Sequence, residues 1–197
     1  MKKTLIVTVA VCAVLAFVGG AYAQAQATYV SNKQCKICHS KAEEGEQWTK
    51  WKASLHSKML EALATPEAKA LADKAKLDKP AAEAPQCVKC HVTAFDEKTG
   101  APPAPLVKED GVQCETCHGP ASLHVADGKK FKSGDKTVNM AAHVNPKPDE
   151  AVCKGCHNEQ SATWKPDRYT LEGGGKAGFD FKQASAKIAH PNPTKKK

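Results

Sequence analysis

The longest mostly apolar run in the sequence lies near the amino end, at residues 5–18. It follows two lysines and precedes an Ala-Tyr-Ala tripeptide at residues 21–23, which has the small-x-small pattern of a signal-peptidase site. The run is short for a membrane-spanning helix, which needs about 20 residues. We therefore predict a cleaved signal peptide over residues 1–23, with an uncleaved anchor as the alternative. Cys12 would be removed with this peptide, and no membrane span would remain.

A periodic apolar pattern predicts a helix over residues 41–63. Apolar side chains recur there at spacings of three and four, which places them on one helix face. They are Trp48, Trp51, Leu55, Met59 and Leu63. His56 lies at the edge of this face, where its side chain could point inward.

Two further helices are predicted from their start signals. Thr65-Pro66 supplies an N-cap and a first-turn proline, so a helix should run from there to about residue 77. The two predicted helices would form a hairpin over residues 41–79. Asp180 with Gln183 resembles a capping box, and the helix that it begins should end near His190, before a proline.

The remaining positions lack a regular pattern. Three prolines exclude a regular element from the link at residues 99–110. Residues 127–150 contain glycines and prolines and are predicted to form a loop, and the glycine triplet at 173–175 a flexible one. No segment has a convincing strand pattern. The predicted fold class is therefore mainly α, with little or no sheet, in one mature domain over residues 24–197.

Composition shows that side chains alone would make a poor core. Large apolar residues are scattered among Ala, Lys and Pro, and such a chain buries too little surface to offset its conformational entropy. The formal charge is +8 for all 197 residues. We expect no nucleic-acid partner, because the chain is predicted to be exported and its lysines are spread out.

All eight cysteines of the predicted mature chain belong to four C-x-x-C-H motifs. The cysteines are Cys35, Cys38, Cys87, Cys90, Cys114, Cys117, Cys153 and Cys156, followed by His39, His91, His118 and His157. This motif attaches haem c: two thiols add to the vinyl groups, and the next histidine becomes an axial iron ligand. Disulfides would explain neither the four identical spacings nor the four following histidines. Structural zinc also uses paired C-x-x-C units, but it does not need a histidine at the next position every time. We predict four covalently attached haems, whose apolar faces replace the missing core.

Four histidines remain outside the motifs and match the four second axial positions in number. They are His56, His124, His143 and His190. His124 follows His118 by six residues, with a Gly-Pro turn between them, so it should serve a neighbouring haem rather than the same one. His143 lies in a non-helical stretch. It is predicted either as a distal ligand or as a polar group beside an open iron.

The chain resembles the cytochrome c-554 family of tetrahaem c-type cytochromes. The likeness rests on CKICH with LHSKMLEAL, on KLDKP before CVKCHVTAF, on GVQCETCHGP, on VCKGCH and on FDFKQASAKIAH. The resemblance implies a helical fold wrapped around closely packed haems in near-parallel pairs. It implies His56 as the distal ligand of the fourth haem, His124 of the first and His190 of the third. In the best-known member the second haem is five-coordinate, whereas His143 could fill that position here.

These features predict an exported electron carrier that works between redox partner proteins, in the periplasm or outside the cell. One alternative is a reductase of a small ligand such as nitric oxide at an open second haem, with His143 as the proton donor. Another alternative is a self-associating subunit of an extracellular cytochrome filament. The donor and the acceptor are not predicted by the sequence.

Overall fold

The computed structural model describes residues 26–190. The predicted signal peptide, with Cys12, and the residues after His190 lie outside this range. The described part contains eight α-helices and one two-stranded antiparallel hairpin, which confirms the mainly α fold class. None of the helices within residues 26–190 combines the length and apolar character needed to cross a bilayer.

The helices are short, between five and eleven residues. They are α1 (Asn32–His39), α2 (Gln47–Ala53), α3 (Pro66–Lys74), α4 (Pro85–His91), α5 (Cys114–His118), α6 (Ser122–Lys132), α7 (Glu150–Lys154) and α8 (Phe181–Ile188). Isolated helices of this length are marginal in water, so tertiary contacts must stabilise them.

The predicted continuous helix over residues 41–63 is wrong. The segment is divided into α2 and three 3₁₀ turns at Ala42–Glu44, Leu55–Lys58 and Glu61–Ala64. Ser54 has an extended backbone, with φ −79° and ψ 163°, and its hydroxyl donates to Trp51 O at 2.7 Å. Serine hydroxyls compete for backbone groups in this way and interrupt helices. Leu55 is consequently 80% exposed rather than on a buried face.

The predicted helix starts are confirmed, and the ends differ. Thr65 Oγ1 accepts the amide N–H of Ala68 at 3.2 Å, and Asp180 Oδ1 accepts that of Gln183 at 2.8 Å. α3 ends at Lys74, three residues earlier than predicted. The Gln183 side chain does not complete a capping box; it donates to Thr170 O at 2.9 Å and so joins α8 to the hairpin.

Three segments predicted to be irregular contain regular structure. The link at residues 99–110 ends in a 3₁₀ turn at Lys108–Asp110, which lies beyond its prolines. α6 extends to Lys132, so the loop predicted from residue 127 begins only after the helix. The three lysines in its last turn are favourable at a helix carboxyl end. The glycine triplet belongs to the turn between β1 (Tyr169–Thr170) and β2 (Lys176–Ala177). Gly173 and Gly174 there have φ of 98° and 94°, which L side chains disfavour.

The aliphatic core is small, as the composition predicts. Its buried members are Leu63, Ala68, Ala72, Ala81, Val88 and Val92. They come from α3, α4 and the turns beside them, and most are alanine or valine. Each Å² of buried apolar surface stabilises the fold by about 25 cal/mol, so side chains this small contribute little to the free energy of folding.

The backbone around His56 is held against the segment that leads into α5. Val112 N donates to His56 O at 3.0 Å, and Trp51 Nε1 donates to Val112 O at 2.8 Å. Gly111 has φ 63°, and a Cβ at this position would stand 2.8 Å from His56 O. Only glycine allows this close approach, which fixes the position of His56 relative to the third motif.

Candidate haem-binding sites

Three of the four motifs end a helix with their histidine. α1 ends at His39, α4 at His91 and α5 at His118, whereas α7 ends at Lys154 within the fourth motif. Residues at positions i and i+3 of a helix share one face, so both thiols of a C-x-x-C pair lie on the same side. The local fold therefore presents two thiols and an imidazole together, as haem attachment requires.

The structure pairs three motif histidines with three histidines from elsewhere in the chain. The ring centroids of His39 and His124 are 6.1 Å apart. Those of His56 and His157 are 6.2 Å apart. Those of His118 and His190 are 5.8 Å apart. These are the same partners that the family resemblance implies.

The centroid distances suit two imidazoles on opposite sides of one iron. Two metal–nitrogen bonds of about 2 Å each, with about 1 Å from each nitrogen to its ring centre, put the centroids about 6 Å apart. The three pairs are therefore spaced to hold a haem iron, although ligation itself stays a prediction. The bound group would supply a redox-active iron.

Burial favours the neutral imidazole, which is the form that binds iron. It lowers the pKa of His39, and nearby His124 lowers it further, while a hydrogen bond accepted by the Gln47 side chain acts in the opposite direction. Burial also lowers the pKa of His56, as does the proximity of His157. Desolvation lowers the pKa of His157 and His190 too, although both residues are partly exposed.

Three imidazoles are oriented by backbone carbonyl groups through Nδ1. His91 Nδ1 lies 2.7 Å from Met59 O. His118 Nδ1 lies 2.6 Å from Asn145 O, and His124 Nδ1 lies 2.8 Å from Met140 O. A proton on Nδ1 satisfies each contact and leaves Nε2 free for a metal.

The second motif lacks such a partner ring. No histidine within residues 26–190 faces His91, and the predicted candidate His143 lies elsewhere. His143 Nε2 is 3.5 Å from Asp127 Oδ2 on α6, and its side chain is 43% exposed. The structure thus places every predicted distal histidine except His143 beside a motif histidine.

Thiols from different motifs lie next to one another. Cys35 and Cys114 share a hydrogen bond, which raises the pKa of the first and lowers that of the second. Burial, together with Cys90, raises the pKa of Cys156 to about 12. Burial raises the pKa of Cys117 to about 11, with a smaller contribution from Cys153. These interactions link motifs one and three, two and four, and three and four into one cluster. The eight described cysteines form no disulfide.

An open cavity of about 510 Å³ lies beside His157 and is lined by polar side chains together with Trp164 and Phe179. Phe179 stacks on His157 with centroids 5.5 Å apart and an angle of 19°. Trp164 also lines the cavity and packs so closely on Gly178 that a Cβ there would meet its ring at 2.0 Å. The two aromatic side chains offer one apolar side of this cavity to a large flat group.

Sequence reasoning missed the two residues inside the third motif, Glu115 and Thr116. The Glu115 carboxylate is 3% exposed and accepts amide N–H groups of Val30, Ser31 and Ala121 at 2.9–3.0 Å. Thr116 Oγ1 lies 2.8 Å from Thr93 Oγ1, just after the second motif. The third motif is thereby tied to the first and the second. The variable positions of C-x-x-C-H carry no sequence signal for such contacts.

Comparisons with known proteins agree with the motifs. A family model described as "Cytochrome c554 and c-prime" matches residues 21–119. Cytochrome c-554 of Nitrosomonas europaea is 34% identical over 179 residues, which cover 84% of this chain and 73% of that protein. The solved structure of reduced cytochrome c554 from the same organism has 30% identity and a TM-score of 0.48, covering 84% of this chain and 79% of that one. The chain therefore belongs to the cytochrome c-554 family of c-type cytochromes, which carry electrons on covalently bound haem.

Proposed function

We propose that this chain is an exported tetrahaem cytochrome that transfers electrons between redox partner proteins. The observation that carries the proposal is the set of three histidine pairs. In each pair the centroids are about 6 Å apart, and one imidazole comes from a C-x-x-C-H motif. Irons with both axial positions filled have no place for a substrate, which favours electron transfer over catalysis.

The arrangement of the thiols supports the same proposal. Cys35 interacts with Cys114, and Cys90 with Cys156. Cys117 interacts with Cys153, which links these two pairs of motifs, so the four attachment sites form one contiguous cluster, as an electron carrier requires. The chain itself contributes the imidazoles, the carbonyl groups that orient them and the hydrogen bonds that fix the motifs to one another.

Charge favours acidic redox partners. The full chain has a formal charge of +8, and the two lysines of the predicted signal peptide account for two of these charges. Lysines spread over the surface attract an acidic partner from a distance and increase the association rate. We place the protein in the periplasm, or further out, on the basis of the predicted signal peptide.

Ligand substitution tests the proposal. Each single replacement by alanine should convert one low-spin haem to high spin in the electron paramagnetic resonance spectrum of the oxidised protein. The three histidines to replace are His56, His124 and His190. Lys58→Ala, an exposed change near His56, is a suitable control and should leave the spectrum unchanged. A variant that keeps every low-spin signal would show that its histidine is not a ligand. Intact-protein mass spectrometry should show four added haems.

A second candidate function rests on the second motif. His91 has no facing histidine within residues 26–190, which would leave an iron position open for nitric oxide or a similar ligand. Binding of carbon monoxide to the reduced protein would support this reductase activity. Its absence would show that the second iron is six-coordinate. The filament alternative stays a prediction, and a monodisperse small particle in size-exclusion chromatography would count against it.

A further inference from the structure

One short loop contacts imidazoles from two different haem sites. This segment, residues 139–145, is called the bridging loop. Its Met140 carbonyl oxygen is 2.8 Å from His124 Nδ1, and its Asn145 carbonyl oxygen is 2.6 Å from His118 Nδ1. His124 belongs to the pair with His39, and His118 to the pair with His190. Any displacement of the loop would therefore change the hydrogen bonds of imidazoles at both sites.

The bridging loop is fixed at both of its ends. At the first end, the Asn139 side chain accepts the amide N–H of Ala141 at 3.1 Å, which shapes the turn that carries Met140. The Met140 methyl group lies 3.5 Å from the place where a Cβ on Gly128 would stand, so its side chain is seated on α6. At the second end, Asn145 N donates to His118 O at 2.8 Å.

In the middle of the loop, the half-exposed His143 approaches α6. Its Nε2 lies 3.5 Å from Asp127 Oδ2. The Asp127 side chain is only 14% exposed and also contacts Lys130 Nζ at 3.2 Å. Asp127 follows His124 by one helical turn and lies on the same side of α6. The pair His143–Asp127 thus connects the loop to the helix that carries one of the imidazoles.

We propose that His143 is a positioning residue that fastens the bridging loop to α6 and so maintains the hydrogen bonds on His118 and His124. It is not an iron ligand. The inference rests on the proposed function, because both imidazoles are taken as haem ligands. A carbonyl group that accepts from Nδ1 makes the imidazole a stronger electron donor, which favours ferric over ferrous iron and lowers the reduction potential.

The test uses the holoprotein with His143→Ala. If the loop loosens, both Nδ1 contacts weaken, and two of the four reduction potentials should shift upward in a spectroelectrochemical titration. The oxidised protein should keep as many low-spin haems as the unsubstituted protein, and the reduced protein should bind no additional carbon monoxide. His143→Gln retains a side-chain donor for Asp127 and should restore the original potentials at least in part.

Two further variants separate positioning from general damage. Asp127→Ala should shift the same two potentials, and the double variant should shift them no further, because both changes break one contact. Lys130→Ala removes the other partner of Asp127 and should leave all four potentials unchanged.

Two results would overturn the inference. A new high-spin haem in His143→Ala that binds carbon monoxide would show that His143 is a ligand. Four unchanged potentials in both His143→Ala and Asp127→Ala would show that the contact does not position the imidazoles. Failure of the proposed function would look different, since the unsubstituted protein would then lack the low-spin signals of paired histidines.

Discussion

Removing the buried carboxylate of Glu115 should destabilise the protein more than any surface change. The carboxylate accepts three amide N–H groups, from Val30, Ser31 and Ala121. Hydrogen bonds to a charged group contribute about 1.5–3 kcal/mol each, and a buried donor without a partner costs about 1–3 kcal/mol. Because water can enter the space left by Glu115→Ala, we expect the loss of stability to lie near the lower end for three bonds, about 4.5 kcal/mol.

The hydrogen bonds from Val30 and Ser31 to Glu115 link the first motif to the third, and Glu115→Ala would remove this link. Val30 and Ser31 immediately precede α1, which contains the first motif, and Glu115 lies inside the third. Glu115→Gln should have a smaller effect than Glu115→Ala. One side-chain oxygen remains as an acceptor, while the amide nitrogen that replaces the other faces a backbone donor.

Guanidinium unfolding of the holoprotein, followed by far-UV circular dichroism and Soret absorbance, would measure the free energy of unfolding. Glu97→Ala is the matched control, because Glu97 is exposed and outside the helices. Its effect should stay within about 0.5 kcal/mol. If Glu115→Ala lost less than about 1 kcal/mol relative to this control, the carboxylate would not hold the two motifs together as argued.

Three other results follow from the structure. Acidification should destabilise the fold: His39 and His56 are kept neutral in the folded protein, by burial and, in the proposed holoprotein, by iron, so the unfolded chain takes up protons first as the pH falls below about 6.5. Guanidinium midpoints should therefore be lower at pH 5.5 than at pH 7.5, and equal midpoints would contradict this argument. Gly111→Ala should cost about 2 kcal/mol or more through its positive φ and the clash with His56 O, and should raise the high-spin fraction in the paramagnetic resonance spectrum. An unchanged spectrum would show that the clash at position 111 does not displace the His56 imidazole. A variant with serine at all eight motif cysteines should be largely unfolded, because the aliphatic core is too small to stabilise these short helices; native-like far-UV circular dichroism would disprove the dependence on haem.

Local features of the fold were predictable where a few adjacent residues decide the structure. The N-caps at Thr65 and Asp180 form because a side-chain oxygen reaches an amide three residues ahead. The small core follows from a composition rich in alanine and lysine. The interruption at Ser54 was not predictable from periodicity, because a hydroxyl group competes with the helix for the same backbone carbonyl groups.

The extent of α6 shows the opposite error. Gly128 indicates a loop by its propensity, yet the helix continues to Lys132. The Met140 side chain packs where a Cβ on this glycine would stand, so the residue that weakens the helix also admits a tertiary contact. Propensity is a weak prior that packing overrides.

The sequence by itself determined the chemistry of attachment, since two thiols and an imidazole lie within five residues of chain and their spacing is a local property. Only the tertiary structure decided which histidines face each other. The members of each pair are more than seventy residues apart, and their approach depends on contacts such as those of Glu115, Gly111 and the bridging loop. Such contacts involve backbone groups, which every residue possesses, so no side-chain pattern along the chain records them.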